Sequence, residues 1–107
     1  MYTGDDGETH IEDLSLDTHP ELMVLLAAKG VVFRSQPAGA FSDFHPAPRR
    51  QFVITLSGEV EIGLADGTVF LYGPGHVNLA EDVTGRGHTT RVVGDVPRVT
   101  ATVQLAD

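Results

Sequence analysis

An all-β domain of about eight antiparallel strands, closed as a sandwich or barrel, is the fold class that the sequence predicts. Three observations carry it. β-Branched and aromatic runs recur between turn residues at spacings of roughly 7 to 12 residues. The chain has 12 glycines and 41% apolar residues in 107, which suits tight turns better than a helical bundle. Asp66-Gly67, the strongest short hairpin signal, stands between two such runs.

The elements follow in order. Met1 to Asp17 is a polar, acidic arm with a turn at Gly4-Asp5-Asp6-Gly7 and a candidate short strand at Thr9, His10 and Ile11, available to pair with the barrel edge or a second subunit. Thr18-His19-Pro20-Glu21 has capping-box spacing with Pro in the first turn, and Lys29-Gly30 resembles a helix end, so a helix of about ten residues is favoured. Leu22 to Ala28 is apolar without a break, which reads equally as a buried strand; either way the segment should cover the core. Strands are then expected over 31–35 and 41–44, and over 52–56, where both alternating faces are apolar, as in a strand covered on both sides. Residues 59–64 alternate Val60, Ile62 and Leu64 with Glu59, Glu61 and Gly63, and should pair with 68–72 across the Asp-Gly turn. Gly73-Pro74-Gly75 leads into 76–80, a charged loop follows, and strands over 88–93 and 98–105 end the chain, the last with Val99, Ala101, Val103 and Leu105 on one face. One domain over 1–107 is expected, with an arm over 1–17 and a barrel over about 31–105.

Composition excludes several function classes. Fifteen acidic against 7 basic residues give a formal charge of −8, which opposes a phosphate backbone, so nucleic acid is not expected as a partner. There are no cysteines, hence no disulfide, thiolate metal site or cysteine nucleophile. No apolar run is long enough to span a membrane, and the acidic N-terminus is unlike an export signal, so the cytoplasm is the expected compartment.

Two stretches carry a family resemblance. His45-Pro46-Ala47 is followed after three residues by Gln51 and after six more by Gly58; Gly73-Pro74-Gly75 opens a strand leading through Glu81-Asp82-Val83-Thr84-Gly85-Arg86-Gly87 to His88. This resembles the two motifs of the cupins, His-x-His with a following Glu and Gly, and a Pro-Gly turn leading to a third His. The second stretch is similar to a GPGxVxLxEDxTGxGH pattern found in a subgroup of small bacterial cupins. Ala47 stands at the family's second His and Gln51 at its Glu. The resemblance covers about residues 41 to 105 and implies a jelly-roll β-barrel, commonly a homodimer, with Gln51, Val53 and Thr55 facing the lumen.

What the lumen would do follows from these residues. With Arg49, Gln51, Thr55, Asn78 and Thr90 among valines it would be a mostly apolar pocket for a small oxygenated organic molecule. His88 beside Glu81 or Asp82, with His45, would supply acid-base chemistry such as an isomerisation, cyclisation or dehydration. Gly85 and Gly87 would let their loop hinge as a lid. Arg49 and Arg50 could clamp a carboxylate or pair with Asp43 or Glu81. The resemblance also implies a divalent transition metal, Zn, Ni or Fe, held by His45, Gln51 and His88, and with it the rival of a metal-dependent oxygenase; a non-catalytic ligand-binding module is the rival from another class. His76 is expected at the surface, His10 in solvent or on the arm's pairing contact, and His19 at the surface near the helix cap.

Overall fold

Alternating polar and apolar positions resolve into ten strands, most of them in two facing sheets. The computed structural model describes residues 1–107. Its strands are β1 (Tyr2–Thr3), β2 (Thr9–His10), β3 (Ala28–Gln36), β4 (Phe41–His45), β5 (Gln51–Ser57), β6 (Glu59–Gly63), β7 (Val69–Tyr72), β8 (Val77–Ala80), β9 (His88–Val93) and β10 (Arg98–Leu105). The sheets have the orders β3-β10-β5-β8 and β4-β9-β6-β7, and β1 and β2 form a small ribbon. All strand pairs are antiparallel. From β3 to β6 each connection carries the chain from one sheet to the other, and the layers enclose a lumen. Asp66-Gly67 makes the expected turn, pairing β6 with β7 from Val60 opposite Tyr72 to Gly63 opposite Val69.

Gln51 and Val53 face inward as expected, but the lumen is more polar than expected. The lumen takes Arg34 and Gln36 from β3, Gln51 and Val53 from β5, Asn78 and Ala80 from β8, and Arg98, Thr100, Thr102 and Gln104 from β10. The first sheet therefore presents a mainly polar face inward, where a mostly apolar lining with a few polar groups was expected. By the period of two, Val31, Phe33, Phe52, Ile54, Val77, Leu79, Val99, Ala101 and Val103 point outward. An apolar floor comes from the second sheet, through buried Val60, Ile62 and Val92.

The 18–30 segment also differs. Only Pro20–Met23 is helical, as a single 3-10 turn whose N-cap, His19, makes no side-chain cap bond. Ala28 to Gly30 instead join β3, where Gly30 stands opposite Gln104 and Ala28 opposite Leu105. Recruiting them into the sheet leaves too few residues for a stable helix. Met23, Val24 and Leu25 are exposed, Leu25 wholly so, and they do not cover the core.

The N-terminal arm is fastened to its own barrel. Tyr2 bridges Glu81 in parallel, Glu81 N donates to Met1 O at 2.8 Å, and Thr9 Oγ1 donates to Asp82 Oδ2 at 2.7 Å. No helix is long and apolar enough to cross a membrane.

Candidate active site

A kink in β4 brings two histidines together. Ser42 stands opposite Thr90 and His45 opposite His88, with an irregularity between them that absorbs one residue. A regular strand would turn either Ser42 or His45 outward; the bulge turns both toward the lumen, and both line it. The rings of His45 and His88 have centroids 4.8 Å apart and are tilted by 52°.

The carboxylate beside His88 is Asp82. Its Oδ2 lies 2.6 Å from His88 Nδ1 and also accepts from Thr9 Oγ1, while Oδ1 is buried without a partner. Asp82 is 0% exposed and His88 5%. Because a carboxylate only accepts, Nδ1 carries the proton and Nε2 is the nitrogen left for chemistry. His45 is oriented likewise, its Nδ1 lying 2.7 Å from Asp43 O. Two imidazoles, each fixed at Nδ1, thus share one wall of the cavity.

Glu81, expected as the alternative partner of His88, is directed elsewhere. Asn78 and Ala80 line the lumen, so alternation sends Glu81 to the outer side and Asp82 inward. There Glu81 Oε2 accepts from Arg50 Nε at 2.6 Å, and Asp107 accepts from Arg50 Nη1 at 2.8 Å. The Glu81 pairing raises the Arg50 guanidinium above its usual value. Arg50 is thereby committed to protein carboxylates, whereas Arg49 lines the lumen and donates to Gln104 Oε1 at 3.0 Å.

The glycines of the 81–88 loop are packed rather than hinged. Gly87 has φ of 83°, and a Cβ there would fall on the carbonyl of His45; Gly85 abuts the backbone of Gly7 in the arm, where Arg86 N donates to Gly7 O at 3.2 Å. The loop is pinned between β4 and the arm, which holds Asp82 and His88 in register.

The remaining candidates divide between the lumen and elsewhere. Gln51, Asn78 and Thr90 line a cavity of 370 Å³ together with His45 and His88. Thr55 is 0% exposed and is absorbed in accepting from Arg98. His76, expected at the surface, is half-buried and stacked on Tyr72 with centroids 3.6 Å apart; burial, and then the charge of Arg98, push its pKa down. His10 pairs with Asp6 at 3.1 Å on the exposed arm, and His19 bonds the neighbouring Thr18. Sequence reasoning passed over Arg34 and Arg98, both in the lumen; the β10 alternation, read with the polar positions inward, contains the signal.

The residues at the expected metal position form a thin donor set. Two Nε2 atoms and the Gln51 amide are all that the three candidates supply, Ala47 replaces an imidazole, and no group of three His, Cys, Asp or Glu is placed to hold an ion. Such a set lacks the anionic ligand and the third imidazole that hold a transition ion tightly, so it does not fit a resident metal.

No family model and no curated protein matches the chain. Solved structures do. An uncharacterized conserved protein with a double-stranded β-helix domain from Klebsiella pneumoniae is 24% identical with a TM-score of 0.55, over 70% of this chain and 64% of that one. The DMSP lyase of Ruegeria pomeroyi is 21% identical with a TM-score of 0.56, over 72% of this chain and 38% of its own. A sugar phosphate isomerase of the cupin superfamily from Silicibacter pomeroyi is 20% identical with a TM-score of 0.57, over 73% and 50%. In each case the matched part of the neighbour is less than two thirds of its length. The sheet orders, the paired histidines at the lumen wall and these likenesses agree, and the chain has the cupin fold, a small double-stranded β-helix domain.

Proposed function

We propose that the lumen binds a small oxygenated organic molecule and that His88, oriented by Asp82, moves a proton on it, with His45 as the second acid-base group. The observation that carries this reading is the buried 2.6 Å contact between His88 Nδ1 and Asp82 Oδ2, which leaves Nε2 of a cavity-lining imidazole free. The buried anion fixes the tautomer and stabilises the imidazolium formed when Nε2 takes a proton. Removing a proton at one carbon and returning one from His45 at another position is an isomerisation; returning it to a departing oxygen is a dehydration. Gln51, Asn78, Thr90 and Arg49 supply donors and acceptors for the ligand's oxygens, and a volume of 370 Å³ suits a small metabolite. Among neighbours of the same fold, one is named a sugar phosphate isomerase and another a DMSP lyase, and both names fit proton-transfer chemistry.

The test is solvent exchange. In D₂O, hydroxy and keto acids and aldose phosphates are screened by proton NMR for protein-dependent deuterium uptake at carbon. Uptake is expected, lost in His88→Gln and kept in Arg91→Gln, since Arg91 stacks on Phe41 away from the lumen. A compound that stabilises the protein against heat yet exchanges no faster than in buffer would identify a binding module instead.

The protein is further proposed to act as a homodimer in the cytoplasm. The outer face of the first sheet exposes Val31 and Phe33, at 57% and 70%, an apolar surface of the kind that a second copy would cover.

A further inference from the structure

The charge inside the barrel is opposite to the charge of the chain. The protein carries a formal −8, yet the 19 residues lining the lumen include Arg34, Arg49 and Arg98, two histidines and no Asp or Glu. Asp82 is fully buried against His88 and does not line the lumen. Arginines outside the lumen are provided for: Arg50 pairs with Glu81 and Asp107, Arg86 with Glu8, and Arg91 stacks on Phe41. None of the three lumen arginines forms an ion pair.

Arg98 is the most telling of them. It is 8% exposed, and its side-chain hydrogen bonds go to a single neutral acceptor, Thr55 Oγ1, from Nε at 3.4 Å and from Nη2 at 3.1 Å. Burial pushes its pKa down, the mark of a cation without a counter-charge. Burying a guanidinium opposite no acid destabilises the free protein, and an anion bound in the lumen would supply the missing counter-charge. Arg34 lies on the same inner face one strand away, since Gln36 stands opposite Arg98 and Arg34 opposite Thr100. The histidine pair sits toward the other end, where Gln104 meets Gln51 and Gln51 meets Ala80.

We infer that the lumen is an anion receptor: its ligand is a small organic carboxylate whose charged end is held by Arg98 and Arg34 while its other end faces His45 and His88. This rests on the lumen being a ligand site, as proposed above, and adds the ligand's charge and direction. A planar guanidinium matches a carboxylate with two parallel hydrogen bonds, and a dry surrounding strengthens them.

The experiment compares charge at constant shape. Succinate, glutarate and malate are titrated by calorimetry and thermal shift against their neutral diamides. At least one carboxylate should bind about tenfold or more tightly than its diamide, a difference of about 1.4 kcal/mol per tenfold. Arg98→Met should abolish that preference without lowering the melting temperature of the free protein, because it removes an uncompensated buried charge; Arg98→Lys should restore part of the preference. Arg34→Gln, at an exposed position, should weaken carboxylate binding in a protein that folds normally. Equal binding of acids and diamides overturns the inference, as does an undiminished preference in Arg98→Met. Should Arg98→Met fail to fold, Arg34→Gln decides: a reduced preference supports the receptor and an unchanged one overturns it. Binding is read without turnover, so failed deuterium exchange with charge-dependent binding removes only the acid-base reading, and charge-independent binding removes only this one.

Discussion

Replacing Asp82 by Ala should be among the most damaging single changes available, and its size follows from the contacts. The carboxylate joins two separate parts of the chain, the arm through Thr9 and the start of β9 through His88, while the backbone carbonyl of Asp82, which the substitution leaves in place, accepts from Ala47 N at 2.9 Å. Removing the side chain leaves a hydroxyl and an imidazole N–H without their acceptor, at residues only 2% and 5% exposed. Each unsatisfied buried donor costs about 1–3 kcal/mol, and breaking a buried charged contact from one side costs about 3–5 kcal/mol, so a loss near 4 kcal/mol is expected. For 107 residues at about 2.1 cal/mol/K each, that lowers the melting temperature by roughly 18 °C. Thr9→Val should cost about 1 kcal/mol, as the loss of one bond does. In a double-mutant cycle Thr9→Val should be nearly harmless once Asp82 is Ala, because its partner is gone. Calorimetric unfolding of the four proteins measures all of this, and nitrogen NMR should show wild-type His88 protonated at Nδ1. A cost below about 1 kcal/mol for Asp82→Ala, or neutral His88 protonated at Nε2, would refute the assignment of Asp82 as the hub of the site.

Three further outcomes are expected. Gly87→Ala should destabilise by more than about 3 kcal/mol, since it combines a left-handed backbone with a collision on His45, whereas Gly67→Ala, left-handed but in open space, should cost only about 1 kcal/mol; denaturant titration separates them. His76 has a pKa pushed below its ordinary value of 6.5 by burial, so the unfolded chain binds the extra proton first as pH falls; stability from this residue should be complete above about pH 6.5 and decline below it, and His76→Gln should flatten that part of the curve. Phe33→Glu, at a side chain 70% exposed, should leave the unfolding free energy of dilute protein within about 0.5 kcal/mol of wild type yet shift sedimentation equilibrium from dimer to monomer; an unchanged mass would remove the first sheet's outer face as the interface.

The succession of strands along the chain, the Asp-Gly hairpin and the place of His88 at the start of a strand were legible because each depends on local pattern. A turn residue and a period of two need no knowledge of what lies across the barrel. The 20–30 segment was not legible, because an unbroken apolar run has no period, and its fate was settled by β10, which drew Ala28 to Gly30 into edge pairing. The same reason explains why the polarity of the lumen was not legible. Alternation in β10 divides Val99, Ala101 and Val103 from Arg98, Thr100 and Thr102, but it does not say which set faces in. That choice depends on the opposing sheet, which supplies Val60, Ile62 and Val92 as the apolar floor and leaves the polar set to face a cavity. The sequence by itself determined a small β-barrel with a histidine at the start of β9. Only the tertiary structure decided that Asp82, not Glu81, meets that histidine, and that an acidic chain encloses three arginines without an ion-pair partner, because both follow from packing between elements far apart along the chain.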